Sequence, residues 1–320
     1  MSLTLRFLGT SASRPTVERN VSSLVIVREG ETLMFDCGEG TQRQMMRYGI
    51  SFNVSDIFFT HFHADHMLGV IGLLRTMALQ GRTLPMRLWG PRGGARVLKR
   101  GAELGVERVG FPLDINEMEP GEAVKRDGYA IIPHLADHRN ALAFGYALVE
   151  EDRRGRFHPE TARELGIPEG PMWGQLTRGM PVTLADGRTI HPDALVGPQR
   201  PGRKVVVTGD TRPTDATVEA ARDADVLVHE ATFAEEEASR ALETGHSTAR
   251  EAADVARRAN VRQLVLTHFS ARYSRDPVDL LNEARAIFPE TGCARDGMEL
   301  EIPYAADAAA AEATQVERDG

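Results

Sequence analysis

The sequence predicts an α/β protein, and three observations carry that expectation. Short apolar strands alternate with helix-period segments along most of the 320 residues. Residues with metal-ligand chemistry stand directly after several of those strands, where sites in α/β folds gather. One pattern also occurs twice, as Phe58-Phe59-Thr60-His61-Phe62 and Val265-Leu266-Thr267-His268-Phe269. Each copy is an apolar strand closed by Thr-His-Phe, as if two βα halves delivered a histidine to one seam.

In chain order, Leu3–Leu8 alternates as a strand and Gly9–Ser13 opens a small-residue loop. Ser23–Arg28 and Glu31–Asp36 read as a hairpin turning at Glu29-Gly30, and Thr41–Tyr48 as a short helix. Ile57–Phe59 is a buried strand ending at Thr60, and Met67, Leu68, Ile71, Leu74 and Leu79 mark the helix face that follows. Met86–Trp89 is a strand, followed by a helix through about Leu104, and Phe111–Glu150 is mostly β. From Glu151 to Gly202 charges, prolines and glycines dominate, with one short helix near Pro159–Leu165. This stretch reads as an inserted arm or lid without a core of its own. Regular order returns with strands at Lys204–Val207, Asp225–His229, Gln263–Thr267 and Met298–Ile302. Helices are expected at Ala216–Asp223, Ser247–Arg258 (N-cap Ser247) and Pro277–Phe288. The tail, 306–320, is rich in Ala and Asp and is expected to be disordered.

Hydrophobic and charged contents of 42% and 26% are those of a globular chain able to bury a sizeable core. Cys37 and Cys293 supply neither a disulfide framework nor a zinc-finger spacing. The first residues are too few and too polar for a secretory signal, and no apolar run approaches a membrane span. The expected location is therefore the cytoplasm, away from membranes. A formal charge of −8 argues against general affinity for nucleic acid. The cations are nearly all arginine, however, which grips phosphate bidentately, so local clusters matter more than the sum. One cluster is Arg82, Arg87, Arg92, Arg96, Lys99 and Arg100; another is Arg153, Arg154 and Arg156.

The chemistry is concentrated in Ser55–Gly69. His61, His63, Asp65 and His66 fall within six residues on a strand-to-helix turn, in a chain with 10 histidines. Four such side chains can converge on one metal. Three more candidates stand at strand exits: His138, Asp210 and His268. Imidazole and carboxylate donors without thiolate suit Zn²⁺, with Mn²⁺ a possible substitute. Two such ions roughly 3.5–4 Å apart would hold a bridging hydroxide and stabilise charge on an oxyanion or phosphate. Hydrolysis is the implied chemistry. A leaving alkoxide needs a proton, and His246, oriented by Glu230, stands just before a helix where it can supply one. Ser11 and Ser13 have no evident partner histidine, which excludes a serine nucleophile.

His61-Phe62-His63-Ala64-Asp65-His66 resembles the signature of the metallo-β-lactamase-fold hydrolases. Phe7–Thr10, Asp36–Gln42, Phe144–Tyr146, Thr208–Thr211, His229–Thr232, His246–Thr248 and His268–Tyr273 narrow the resemblance to the ribonuclease Z (tRNase Z) family in its short form. The resemblance implies a four-layer αββα fold over residues 1–305. It also implies an endonuclease that cuts 3′-extended tRNA precursors after the discriminator nucleotide. The products would be a tRNA 3′-hydroxyl and a 5′-phosphorylated trailer. In that family's pattern His61, His63 and His138 would hold one zinc, Asp65, His66 and His268 the second, and Asp210 would bridge them. Asp65 would be the general base, with His246 and Glu230 assisting proton delivery.

The same resemblance makes residues of about 151–200 a tRNA-gripping arm with Gly170-Pro171 as its Gly-Pro motif, and Arg153 and Arg154 as RNA contacts. It further implies a homodimer in which one subunit's arm serves the other's site. A family loop, Pro-x-Lys-x-Arg-Asn, corresponds to Pro15–Asn20 with Arg19 as a substrate contact; Val17 stands where the lysine would be. The alternative is a small-molecule phosphodiesterase, thioesterase or lactonase of the same fold. A non-catalytic RNA-binding protein would be expected to have lost ligands, and none of the seven positions has.

Overall fold

A computed structural model describes residues 2–104 and 109–304. The tail expected to be disordered lies outside the described residues. The chain forms two compact units, one made of the sequence on either side of Glu150–Gly202 and the other of Glu150–Gly202 itself.

The larger unit opens with β1 (Leu3–Gly9), β2 (Ser23–Arg28) and β3 (Glu31–Phe35), then α1 (Thr41–Arg47) and β4 (Val54–Phe58). Glu29 and Gly30 both have positive φ, 49° and 89°, the conformation that a tight hairpin turn requires. A short α2 (Ala64–Met67) leads into α3 (Gly69–Leu79), followed by β5 (Met86–Pro91), α4 (Gly94–Glu103) and β6 (Leu113–Met118). Then come β7 (Val124–Arg126), β8 (Tyr129–His138) and β9 (Ala141–Glu150). The smaller unit contains α5 (Pro159–Glu164), α6 (Pro171–Thr177) and a two-stranded ribbon of β10 (Val182–Thr183) and β11 (Thr189–Ile190). After it the larger unit resumes with β12 (Lys204–Val207), α7 (Asp215–Ala221), β13 (Val226–Glu230), α8 (Ala238–Thr244), α9 (Ala249–Arg258) and β14 (Gln263–Thr267). The helix α10 (Val278–Arg285) and strands β15 (Thr291–Cys293) and β16 (Glu299–Glu301) complete it.

Two seven-stranded sheets result, ordered β16-β1-β2-β3-β4-β5-β6 and β15-β14-β13-β12-β9-β8-β7. Alternation along each strand sorts its side chains to two buried faces. Leu24, Ile26, Leu33, Phe35 and Phe58 from the first sheet meet Tyr146, Val205, Val228 and Val265 from the second in one core. On its other face the first sheet packs Val25, Met34 and Ile57 against Met45, Leu73 and Met77 of the flanking helices. The second sheet does the same with Val206, Leu227 and Leu264 against Val218, Val255 and Leu280. This is the αββα order. Two hydrogen bonds tie the sheets where the first histidine-bearing strand ends: Tyr146 Oη donates to Phe59 O at 2.7 Å, and Phe144 N to Thr60 O at 2.8 Å.

Four details differ from the sequence reading. The buried face runs from Met67 through Val70, Leu73, Leu74 and Met77, while Leu68 and Leu79 lie roughly 100° or more around the helix from Met67 and are exposed. The N-cap of α9 is Thr248, in a capping box with Glu251; the Ser247 hydroxyl is engaged elsewhere, donating to Thr211 O at 2.6 Å. Residues 150–202 do have a core: Ala162, Ile167, Leu176, Val182, Leu184, Ile190 and Leu195 are buried together. Part of the first arginine cluster is structural. Arg87 pairs bidentately with the fully buried Asp56, which also accepts from Trp89 Nε1 and Arg126, and Arg82 donates to Leu84 O and Pro85 O. Arg92, Arg96, Lys99 and Arg100 remain exposed.

Candidate active site

The repeated Thr-His-Phe pattern ends one strand in each sheet. His61 follows β4 of the first sheet and His268 follows β14 of the second, so the two histidines enter one seam from opposite sheets. Asp210 arrives from the loop after β12 and His138 from the end of β8. Gly209, at φ 63°, is required there: a Cβ would stand 2.6 Å from Thr60 Cβ.

All seven ligand candidates converge. The ligand atoms of His61, His63, His138 and Asp210 lie within 4.8 Å of one another, and so do those of Asp65, His66 and His268. His63 Nδ1 is 3.0 Å from His61 Nε2 and 3.1 Å from His138 Nε2. In the second group His66 Nε2 and His268 Nε2 are 3.3 Å apart, each 3.5 Å from Asp65 Oδ2. Donors about 2.0–2.1 Å from one tetrahedral ion sit roughly 3.4 Å from each other, so these spacings suit a shared cation. Asp210 lies between the groups: Oδ2 is 3.7 Å from His61 and 3.3 Å from His66, and Oδ1 is 3.2 Å from His268. Asp210 Oδ1 is buried and has no donor in hydrogen-bonding geometry, despite that short approach. A buried carboxylate oxygen in that condition fits a cation.

The other nitrogen of most of these rings is held. His61 Nδ1 meets Thr60 Oγ1 at 3.1 Å, His66 Nδ1 meets Asp36 Oδ2 at 2.7 Å, and His138 Nδ1 meets Gly245 O at 2.8 Å. His268 Nδ1 meets Thr232 Oγ1 at 3.1 Å. Asp36 is itself fixed by Thr60 N and Oγ1, both at 2.8 Å. Asp36 and His268 both adopt left-handed backbone, φ 57° and 58°, which turns their side chains toward the seam. The sequence reading gave no role to Asp36, Thr60 or Thr232; the only signals were Thr60's place in the repeated pattern and the places of Asp36 and Thr232 in stretches that carry the family resemblance.

Burial and the neighbouring histidines hold His61 well below its ordinary pKa, neutral as a ligand must be. Burial works against the Asp65 carboxylate, but His268 and His66 outweigh it and hold Asp65 far below the usual range. Asp210 is likewise held ionised, against burial, by His268 and His66.

His246 stands differently. Its Nδ1 is 2.8 Å from Glu230 Oε1, and Glu230 is anchored by Thr211 N and by Thr232 N and Oγ1. Although His246 lies close enough to Asp210 and His268 to count as a ligand, its pairing with Glu230 favours the charged imidazolium, which has no lone pair to give a metal. Burial lowers its pKa, but Glu230 and Asp210 raise it to about 9. A charged imidazolium with Nε2 left for the cleft is a proton donor. The cleft itself, ≈ 520 Å³, is lined by His63, Asp65, His138, Asp210 and His246, with Ser13, Arg139 and Asn140 at its margin. A larger groove, ≈ 650 Å³ along β6, has no histidine in its wall.

Arg19 is not in the cleft. It is buried, donating from Nε to Ser274 O and from one terminal nitrogen to Thr10 Oγ1 and Ala294 O, and it lies 4.8 Å over the Phe269 ring. Its guanidinium is engaged internally, yet Arg19 also lines a separate cavity of ≈ 400 Å³ with Arg43, Arg47 and Val17, the last 96% exposed. In the smaller unit, Gly170 (φ 130°) caps α6 and Pro171 is its first residue, both exposed. Arg154 is exposed and donates to Thr177 O, whereas Arg153 is half-buried and pairs its backbone with Arg200. Among the described residues, no helix is long and apolar enough to cross a membrane.

Comparison with known proteins follows the same lines. Ribonuclease Z of Gemmatimonas aurantiaca is 63% identical, over 94% of this chain and 96% of its own. Ribonuclease Z of Haloferax volcanii is 50% identical, over 95% and 96%. The crystal structure of human tRNase Z, short form, has a TM-score of 0.69 at 28% identity, covering 94% of this chain and 99% of its own. Residues 194–269 match the family described as Beta-lactamase superfamily domain, and residues 3–98 match that described as Anti-Pycsar protein Apyc1.

Proposed function

The chain belongs to the ribonuclease Z family, and from that premise we propose a metal-dependent cleavage of 3′-extended tRNA precursors after the discriminator nucleotide. The products are a tRNA 3′-hydroxyl and a trailer with a 5′-phosphate. The observation that carries the chemistry is the pair of ligand groups meeting at Asp210, whose Oδ1 is buried without a donor.

His61, His63 and His138 are the proposed holders of one cation, and Asp65, His66 and His268 of a second, with Asp210 between them. Zinc suits this set of imidazoles and carboxylates, and manganese is the substitute. When bound, two such ions lower the pKa of a water between them and offset charge on the phosphate. Asp65, fixed by Ser13 N at 2.7 Å, is assigned the water's proton. As the water oxygen bonds to phosphorus, the bond to the 3′ oxygen breaks. His246 gives that oxygen a proton from Nε2, and Glu230 keeps the imidazole charged and turned toward it. The family relationship favours tRNA over a small-molecule substrate. A tRNA-gripping arm at residues 150–202, acting across a cytoplasmic homodimer, completes the proposal; that this segment has its own core supports it.

The test is incubation with a 3′-extended precursor, with and without a chelator. Cleavage 3′ of the discriminator is expected, lost on chelation and restored by Zn²⁺ or Mn²⁺. Asp65→Ala is expected to abolish cleavage while precursor binding stays near normal. Chelator-resistant cleavage would defeat the metal assignment, and an active Asp65→Ala enzyme would remove that residue from the mechanism.

A further inference from the structure

A second cavity, ≈ 320 Å³, opens beside the metal-ligand cleft, with Ser13, Thr244 and His246 in the wall of both. It contains none of the seven ligand candidates. Arg14, Arg240 and Arg272 line it instead. Arg272 is paired with Glu237. Arg14 and Arg240 are exposed, and among the described residues neither makes an ion pair with a carboxylate. Arg240 lies 5.6 Å over the Phe233 ring, which in turn meets His246 edge-on at 6.2 Å. In a chain of net charge −8, guanidinium groups gathered around one cavity next to the catalytic cleft select for an anion.

We propose that this cavity is the path of the trailer, with Arg14 and Arg240 holding backbone phosphates on the 3′ side of the scissile one. The inference rests on the tRNA-processing reading above and names a subsite within it. The scissile phosphate belongs over the ligand groups, so the neighbouring cavity takes a neighbouring nucleotide. Its size admits a single strand and excludes a duplex. Upstream of the cut only the discriminator is unpaired before the acceptor stem begins, and it offers little beyond one phosphate. Downstream the strand is single and supplies a phosphate per nucleotide. Two uncommitted guanidinium groups therefore match the trailer side. Arginine suits the task because its planar fork meets phosphate oxygens in pairs.

The experiment compares two precursors of the same tRNA, one with a one-nucleotide trailer and one with a five-nucleotide trailer. The first has no phosphate beyond the scissile one. The enzyme is compared with the Arg14→Ala/Arg240→Ala double variant, whose folding is followed by its melting curve. For the long trailer the double variant should raise KM on the order of tenfold, and the slope of log KM against log salt should fall by about 1.4, two single-strand phosphate contacts. The short trailer should be processed with little change. Equal impairment of both substrates would move the two arginines to the tRNA side, and no change in either would empty the cavity of its role; both results overturn the proposal. Failure of the unmodified enzyme to cut either precursor would instead defeat the underlying function.

Discussion

Arg19 turns its guanidinium inward, onto Ser274 O, Thr10 Oγ1 and Ala294 O, with the Phe269 ring beneath it. Burial lowers its pKa, partly offset by Asp296, so its charge is retained by the fold around it. Removing it takes the donor from two buried acceptors, Thr10 Oγ1 and Ala294 O, and from the half-buried Ser274 O. Arg19→Ala should cost about 3 kcal/mol of stability, read as a shift of the urea midpoint, while KM for precursor tRNA measured on the folded fraction stays unchanged. An undiminished midpoint with a raised KM would return Arg19 to the substrate. The contrast with the proposed metal ligands shows what single residues reveal in sequence. His61, His63, Asp65 and His66 announce themselves because their chemistry is rare and their spacing is local. Arg19 and Asp36 do not, since the same residue type serves a phosphate, a carbonyl or a histidine ring, and only the fold decides which.

The elements that matter most are those whose ends carry the site. Strand β4 and strand β14 were legible because a run of three apolar or aromatic residues, Ile57–Phe59 and Leu264–Leu266, followed by a Thr-His exit leaves few other readings. The helix α9 was legible too, but its start was misplaced by one residue. Ser247 and Thr248 are both competent caps, and only the hydrogen bond from Ser247 Oγ to Thr211 O settles the choice. That helix start also braces His246, the proposed proton donor. Glu251 closes the capping box on Thr248 N and pairs with Arg212, whose guanidinium donates to His246 O. Thr248→Ala should therefore cost about 1 kcal/mol of stability and also lower kcat by loosening the His246 backbone. Thr248→Ser should restore both, since it keeps the capping oxygen. A kcat unaffected by Thr248→Ala would show that the cap stabilises the helix without positioning His246.

The chain as a whole divides into a unit that contains every proposed catalytic residue and a unit, Glu150–Gly202, that contains none. The αββα unit was readable because sheet burial on two faces repeats over many strands. The core of the smaller unit was not, because its buried residues come from two short helices, a two-stranded ribbon and loops with no common period. Its attachment makes it removable. Strands β9 and β12 are antiparallel neighbours with Val149 opposite Lys204, so an Asn-Gly turn between Glu150 and Arg203 in place of residues 151–202 closes an ordinary hairpin. The shortened protein should keep its fold and its hydrolysis of a small chromogenic phosphodiester. Cleavage of precursor tRNA should fall at least about a hundredfold, because binding energy remote from the cut is lost. Equal loss of both activities would mean that the smaller unit supports the catalytic fold and does not grip RNA. The proposed action across a homodimer adds a sharper requirement. Mixing the shortened protein, which has an intact site, with full-length Asp65→Ala, which has an intact arm, should restore part of the tRNA cleavage as mixed dimers form. If subunits exchange and no activity returns, the arm serves its own subunit's site.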